Sequence, residues 1–256
     1  MGIYAKNREE WILSDMACMC QSGTTIAFYD TLGAAAVEFV IKQTQLATIS
    51  CASNYLKTLI MLKHQGRADS ILNLVSFDKF EEDVRADAKD AGIKLFHIDE
   101  VRDAGKKANE KEKIVFKEPT AETVCMFCYT SGTTGDPKAA KLTHKNLLAA
   151  ATSCKYGGID VTPEDCYISY LPLAHSFEKC LFVMALIRGI KIGFYAGDVL
   201  KLAEDCEVLR PTLFPSVPRL FCRIYDKITS RLKELTGMKA YLANRAISSK
   251  LYYLEH

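Results

Sequence analysis

The first hundred residues alternate between short apolar runs typical of strands and longer stretches with apolar residues at helical spacing. Strand-like runs occupy residues 24–29, 46–51 and 71–76, and a helical pattern follows each of them. A strand, a crossover helix and a second strand form a parallel pair, so this order predicts βαβ units with helices covering the sheet. We therefore expect an α/β fold with βαβ units around mainly parallel sheets.

Charge and cysteine usage exclude several functional classes. The 256 residues carry 33 Lys and Arg against 31 Asp and Glu, and the tightest basic cluster, residues 106–113, is interleaved with glutamates. This pattern indicates a solvated surface and no nucleic-acid site. No apolar run approaches the roughly 18 residues of a membrane span, so we expect no transmembrane segment in this chain. Ten cysteines without a signal-peptide pattern indicate free thiols in a reducing, intracellular compartment.

The alternation of strands and helices is interrupted once. Residues 103–117 are highly charged and poor in apolar side chains, and the alternation resumes near residue 121. We divide the chain into a first βαβ region at 1–100, a charged linker at 101–120 that is helical in part, and a third region at 121–256.

The third region begins with a loop rich in hydroxyl groups, Y-T-S-G-T-T-G-D-P-K at residues 129–138. An apolar strand-like run, 123–129, precedes it, and Thr143 can cap a helix that follows. Glycines between a strand and a helix expose backbone N–H groups to anionic oxygens, and Lys138 adds a positive charge. The pattern predicts a phosphate-binding loop.

Two other interpretations of nearby motifs are disfavoured. A Walker-type loop requires G-x-x-x-x-G-K-[ST], whereas Gly132 and Gly135 are three residues apart and Lys138 follows three later. Cys125 and Cys128 form a C-x-x-C pair. Positions three apart in a strand face opposite sides, however, and no partner pair stands at zinc spacing, so we do not expect a metal or redox site.

Six stretches resemble the adenylate-forming superfamily and, within it, the eukaryotic-type long-chain acyl-CoA synthetases. The loop at 129–138 is very similar to the superfamily's phosphate-loop signature. The other matches are Y-L-P-L-A-H-S-F-E at 170–178, I-G-F-Y-A-G-D at 192–198, R-P-T-L-F-P-S-V-P-R at 210–219, and two N-terminal blocks at 2–11 and 29–33. They cover nearly the whole chain in collinear order.

The resemblance implies a two-step reaction. A fatty carboxylate attacks the α-phosphate of ATP to give an acyl-adenylate and pyrophosphate, and the thiol of coenzyme A then displaces AMP. By position, Thr130 would help coordinate Mg²⁺, a hard cation that prefers oxygen ligands. The residues implied to hold the β- and γ-phosphates are Thr130, Ser131, Gly132, Thr133, Thr134, Gly135 and Lys138.

The resemblance also assigns roles beyond the loop. His175 would lie beside the substrate carboxylate and phosphate, where a neutral imidazole can donate a hydrogen bond and the start of a helix favours an anion. Without the resemblance, a helix-start histidine satisfied by the backbone is an equally good interpretation. Phe177, Phe214 and Val217 are candidates for contact with the acyl chain, although plain core packing accounts for most apolar residues in these segments.

Two departures and one absence limit the resemblance. Ala139 and Ser216 stand where the family usually has Gly, and Ala139 would be strained if a left-handed backbone were required there. The family's adenine-binding block, acidic Mg²⁺ ligand, ribose-binding Asp and C-terminal domain all lie beyond His256. We expect this chain to be a partial N-terminal domain of a long-chain fatty acid–CoA ligase, and to be inactive by itself.

Two alternatives stay open. The chain is either part of an enzyme or a noncatalytic remnant that binds nucleotide or fatty acid, and a related ligase acting on another carboxylate is a further possibility. Family members work at endoplasmic reticulum, peroxisomal or mitochondrial membranes, which implies peripheral membrane association.

Overall fold

A computed structural model describes residues 1–130 and 137–255. The chain divides into two compact units, Met1–Leu213 and Phe214–His256. In the described residues of the first unit, seven strands form one sheet in the order β5-β4-β3-β1-β2-β6-β7, and two more form a separate parallel pair, β8-β9. The strands are β1 Gly2–Tyr4, β2 Thr25–Phe28, β3 Thr48–Cys51, β4 Asn73–Ser76, β5 Lys94–His97, β6 Val124–Thr130, β7 Lys138–Thr143, β8 Cys166–Ser169 and β9 Lys191–Phe194.

Helices follow most of these strands, as the alternating pattern predicts. Neighbouring strands of the large sheet are parallel except for β6 and β7, which are antiparallel. The α/β fold with mainly parallel sheets is therefore confirmed. The α-helices are α1 Glu9–Met19, α2 Ala34–Thr44, α3 Leu56–His64, α4 Glu82–Asp90, α5 Ile98–Lys111, α6 His144–Tyr156, α7 Ser176–Arg188, α8 Leu202–Leu209, α9 Pro218–Lys233 and α10 Gly237–Glu255.

Both faces of the large sheet are buried, because side chains alternate along each strand. On one face, Tyr4 and Phe28 pack with residues of α2, α3 and α4. On the other, Ile3 and Ala27 pack with Trp11 of α1 and with residues of α6 and α7. The second face is therefore the one that joins the sheet to the helix following residues 170–175.

The C-x-x-C pair lies in strand β6, and its side chains are not on opposite sides. Cys125 and Cys128 both pack into the apolar cluster that covers the α1 face of the sheet. That prediction is wrong because the pairing of β6 with β7 shifts register between Val124 and Met126, which interrupts the regular alternation. All ten cysteines are free thiols.

Residues 101–120 lie between β5 and β6. The first half of this stretch is helical, as part of α5, which His97 and Glu100 cap at its start. Strand β6, which follows the segment, belongs to the same sheet as β5. The three regions delineated from the sequence stay a prediction.

The second unit contains the helices α9 and α10, preceded by the short segment 214–217. Pro218 occupies the first turn of α9, where its missing N–H costs no helical hydrogen bond. The ring of Phe214 packs edge-on against Phe221 with centroids 6.2 Å apart. In the part of the chain that the structure describes, no helix is both long and apolar enough to cross a membrane.

Candidate active site

The predicted phosphate loop is carried by a β-hairpin. Thr130, the last residue of β6, pairs directly with Lys138, the first residue of β7. The Thr130 hydroxyl donates to the Lys138 carbonyl at 3.4 Å. Directly opposed residues of an antiparallel pair project from the same face, so the side chains of Thr130 and Lys138 lie on one face at the base of the loop.

The remaining predicted phosphate ligands lie outside the described residues. These positions stay predictions, and they are Ser131, Gly132, Thr133, Thr134 and Gly135. The described residues that flank them, Thr130 and Lys138, are both exposed. A hydroxyl oxygen and a primary ammonium, both accessible, fit the chemistry of a Mg²⁺-bound phosphate group. Among the described residues, no group of three or more His, Cys, Asp or Glu could hold a metal ion.

The connection from the loop to helix α6 differs from the prediction. A strand, Lys138–Thr143, stands between them, so the loop joins two strands and does not enter a helix directly. Ala139 lies in this strand opposite Tyr129, and its backbone φ is not positive. The strain considered for Ala139 therefore does not arise. Thr143 caps α6 as predicted, since its hydroxyl accepts from the Asn146 N–H at 3.2 Å.

His175 is the residue before helix α7, and its side chain is exposed. Its Nδ1 accepts a hydrogen bond from the Phe177 N–H at 3.1 Å. A neutral imidazole that accepts at Nδ1 carries its proton on Nε2. The ring thus presents an N–H donor at the positive end of a 13-residue helix, an arrangement suited to an anionic oxygen.

The segment before His175 is held by buried polar contacts. Asn7, in the turn between β1 and α1, hydrogen-bonds to Ser169, Leu171 and Leu173. The Cys128 thiol of β6 donates to the Ala174 carbonyl at 3.4 Å. Residues 169–174 are therefore attached to two strands of the large sheet.

Glu178 in the first turn of α7 is buried, with 1% of its surface exposed. The Ser169 hydroxyl donates to its Oε1 at 2.5 Å. Burial raises the pKa of Glu178 to about 7, because desolvation disfavours the charged carboxylate, and the hydroxyls of Ser169 and Tyr167 offset this only in part. This carboxyl faces the protein interior, so we assign it no contact with substrate.

Lys179 and Asp15 form a fully buried ion pair that joins α7 to α1. The Thr25 hydroxyl donates to the second oxygen of Asp15 at 2.8 Å. The Lys179 ammonium also lies 5.3 Å from the ring centroid of Trp11 and 5.5 Å from that of Phe182. These aromatic faces stabilise the buried cation.

The acyl-chain candidates lie in different parts of the molecule. Phe177 is 44% exposed and lines an open groove of about 380 Å³ between α6 and α7, together with Cys154 and Leu181. Phe214 and Val217 belong to the second unit, and Val217 is 40% exposed. Contact of these three residues with an acyl chain stays a prediction.

The sequence motifs predict no role for the buried polar residues around α7. Two adjacent charged residues, Glu178 and Lys179, stand in a helix whose other residues are mostly apolar. Helical periodicity places Lys179 and Phe182 on one side, which gives a sequence signal for a buried charge. Its partner Asp15 and the contacts of Asn7 have no comparable signal, because they depend on pairing across more than 160 positions.

The fold matches part of the fold of adenylation domains. The structure superimposes on the adenylation domain of a carboxylate reductase from Mycobacterium chelonae with a TM-score of 0.79 and 18% identity, covering 95% of this chain and 40% of that one. The corresponding domain from Segniliparus rugosus, in complex with AMP and a co-purified carboxylic acid, superimposes with a TM-score of 0.75 and 19% identity. That match covers 94% of this chain and 41% of the other.

The chain belongs to the AMP-binding enzyme family, whose family model matches residues 1–252. It is 37% identical over 254 residues to long-chain-fatty-acid–CoA ligase 5 of Rattus norvegicus. It is 39% identical over 250 residues to the peroxisomal long chain acyl-CoA synthetase 7 of Arabidopsis thaliana. Both alignments cover 98% of this chain, but only 36% and 35% of those proteins, so it spans about a third of their length. The resemblance to long-chain acyl-CoA synthetases is confirmed.

Proposed function

We propose that this chain supplies the phosphate-binding part of a ligase that activates long-chain fatty acids with ATP. The observation that carries the proposal is the pairing of Thr130 with Lys138, which places a hydroxyl and a cation on one face of the hairpin. Similarity to long-chain-fatty-acid–CoA ligases supports the substrate class. The complete protein would convert the acid to its acyl-adenylate and then, with coenzyme A, to the acyl-CoA.

In this reaction the chain would mainly neutralise the charge of the phosphates and position the reacting groups. Lys138 would bind the terminal phosphates of ATP and stabilise the departing pyrophosphate. The Nε2–H of His175 would donate to an anionic oxygen beside the reacting carboxylate. Thr130 would help hold Mg²⁺, which when bound neutralises phosphate charge. Peripheral association with an intracellular membrane is part of the proposal for the complete protein.

Replacing Lys138 with Ala should weaken binding of a nonhydrolysable ATP analogue about tenfold, since one charge-assisted contact of roughly 1.4 kcal/mol is lost. Calorimetric titration in the presence of Mg²⁺ measures this change. Lys141→Ala is the matched control. Lys141 is an exposed lysine of the same strand, and an odd separation along the strand places it on the opposite face. Equal affinity of the Lys138→Ala and natural proteins for the ATP analogue would show that Lys138 does not bind its phosphates.

Fatty-acid-dependent exchange of pyrophosphate into ATP tests the reaction itself. The complete protein should catalyse exchange with a long-chain acid, and Lys138→Ala should lower its rate. Binding of the ATP analogue without exchange by any carboxylic acid would favour the noncatalytic alternative. Exchange that is specific for another carboxylate would assign the protein to a different ligase activity.

A further inference from the structure

Asn7 lies in the turn that follows β1 and is 7% exposed. Its Nδ2 donates to the Leu171 carbonyl at 2.6 Å and to the Ser169 hydroxyl at 2.9 Å. Its Oδ1 accepts from the Leu173 N–H at 3.0 Å. A backbone carbonyl can only accept and a backbone N–H can only donate, so these partners fix the orientation of the amide.

These contacts hold alternate residues of one short segment. Residues 170–175 connect strand β8 to helix α7 and have no helix or strand of their own. Asn7 binds the backbone at Leu171 and Leu173, and the Cys128 thiol binds it at Ala174, the residue directly before His175. His175 is exposed, and the hydrogen bond from the Phe177 N–H to its Nδ1 orients the ring. Its place is set by the backbone that leads to it.

The two anchors connect this segment to different strands. Asn7 lies in the turn after β1, a central strand, whereas Cys128 belongs to β6, which ends at Thr130 at the base of the hairpin. The segment is thereby tied to the sheet and to the strand that carries the phosphate loop. Asn7 supplies two donors and one acceptor from a single short side chain. Asp has no donor when ionised, and Leu has neither donor nor acceptor.

We propose that Asn7 is a positioning residue that holds the 170–175 segment so that the Nε2–H of His175 reaches the reacting oxygens. This assignment rests on the proposed function, because it takes His175 to act on the carboxylate or phosphate. It concerns the rate of adenylation more than ATP affinity, since the hydrogen bonds of the Asn7 side chain go to residues 169–173 and to neither Thr130 nor Lys138. Small displacements of a group that acts on reacting atoms cost up to about a hundredfold in rate.

Asn7→Asp is the sharpest probe, because it keeps the shape of the side chain and removes both donors. In the complete protein it should lower the maximal rate of fatty-acid-dependent pyrophosphate exchange about 10- to 100-fold, with less than a roughly threefold change in KM for ATP. In a His175→Ala background, the same substitution should cause almost no further loss. Leu62→Ala, a buried change on the other face of the sheet, serves as the stability control and should leave the exchange rate of the folded protein nearly unchanged.

A second measurement needs no activity. In the 256-residue chain, the side-chain ¹⁵N resonances of His175 should report the Nε2–H tautomer and should shift or broaden in Asn7→Asp, but not in Leu62→Ala. If Asn7→Asp does not fold, Asn7→Ala serves for the same test, because it removes the donors without burying a charge. Unchanged His175 resonances, or an equal loss of exchange with and without His175, would overturn the positioning role. Absence of exchange in the natural complete protein would instead overturn the proposed function, and the resonances would still decide whether Asn7 holds His175.

Discussion

Replacing Lys179 with Met should lower the free energy of unfolding by about 3–5 kcal/mol. Lys179 and Asp15 are both 0% exposed, so removing the ammonium leaves a carboxylate in the interior without its counter-charge. The Thr25 hydroxyl would still donate a hydrogen bond to this carboxylate. Urea unfolding of the natural and variant proteins, followed by circular dichroism, measures the difference.

The double variant Asp15→Asn, Lys179→Met distinguishes loss of an ion pair from loss of packing. Asn keeps an oxygen for the Thr25 hydroxyl and carries no charge, so most of the lost stability should return. Lys145→Met is the surface control. Its ion pair with Glu122 is exposed, with 67% and 74% of the two side chains accessible, and its loss should cost less than about 1 kcal/mol. A Lys179→Met protein within about 1 kcal/mol of the natural one would contradict the stabilising role assigned to this ion pair.

The second large effect is the change of folding stability with pH that the ionisation of Glu178 causes. Its pKa is about 7 in the folded protein and near 4.5 when exposed. Between these values the folded state binds the proton more tightly than the unfolded state does, so stability falls as the pH rises through this window. From pH 4.5 to pH 8 the natural protein should lose on the order of 3 kcal/mol relative to Glu178→Gln, which does not titrate.

Denaturant unfolding at several pH values tests this dependence. The difference between the two proteins isolates Glu178, because the other titrating groups contribute to both. Glu122→Gln, an exposed substitution, should follow the natural protein at every pH. Parallel curves for the natural and Glu178→Gln proteins would mean that the Glu178 carboxyl titrates as an exposed group does.

The sequence predicts the sheet well where apolar periodicity decides the structure. Strands β2 to β5 and the helices between them follow from local patterns of apolar residues. Strand β1, Gly2–Tyr4, has only three residues and no alternation to detect, although it occupies the middle of the sheet. Strand β7 contains Lys138, Ala139 and Lys141, which favour strands poorly. It forms because β6 offers an open edge for antiparallel pairing.

The residues of the candidate site likewise fall into two groups, those that local motifs predict and those whose partners are distant in the sequence. The phosphate loop is predicted from its local pattern of glycines, hydroxyls and lysine, and the role of His175 from the resemblance of residues 170–178 to a family motif. The support beneath them is formed by Asn7, Asp15 and Cys128, whose partners are 46 to 166 positions distant. No local pattern specifies such pairs, since a buried polar residue becomes favourable only when the fold brings its partner to it.

The strand order has a consequence for the chain as it leaves the ribosome. Strands β1 to β5 lie within the first 97 residues, so five adjacent strands can pair before β6 has been made. Until then β2 is an open, apolar edge, because Ile26 pairs with Phe127 about a hundred residues later. An unpaired edge of this kind invites pairing with other nascent chains. Synthesis that pauses between residues 97 and 124 should therefore expose the protein to aggregation, and chaperone binding would be most useful in that interval.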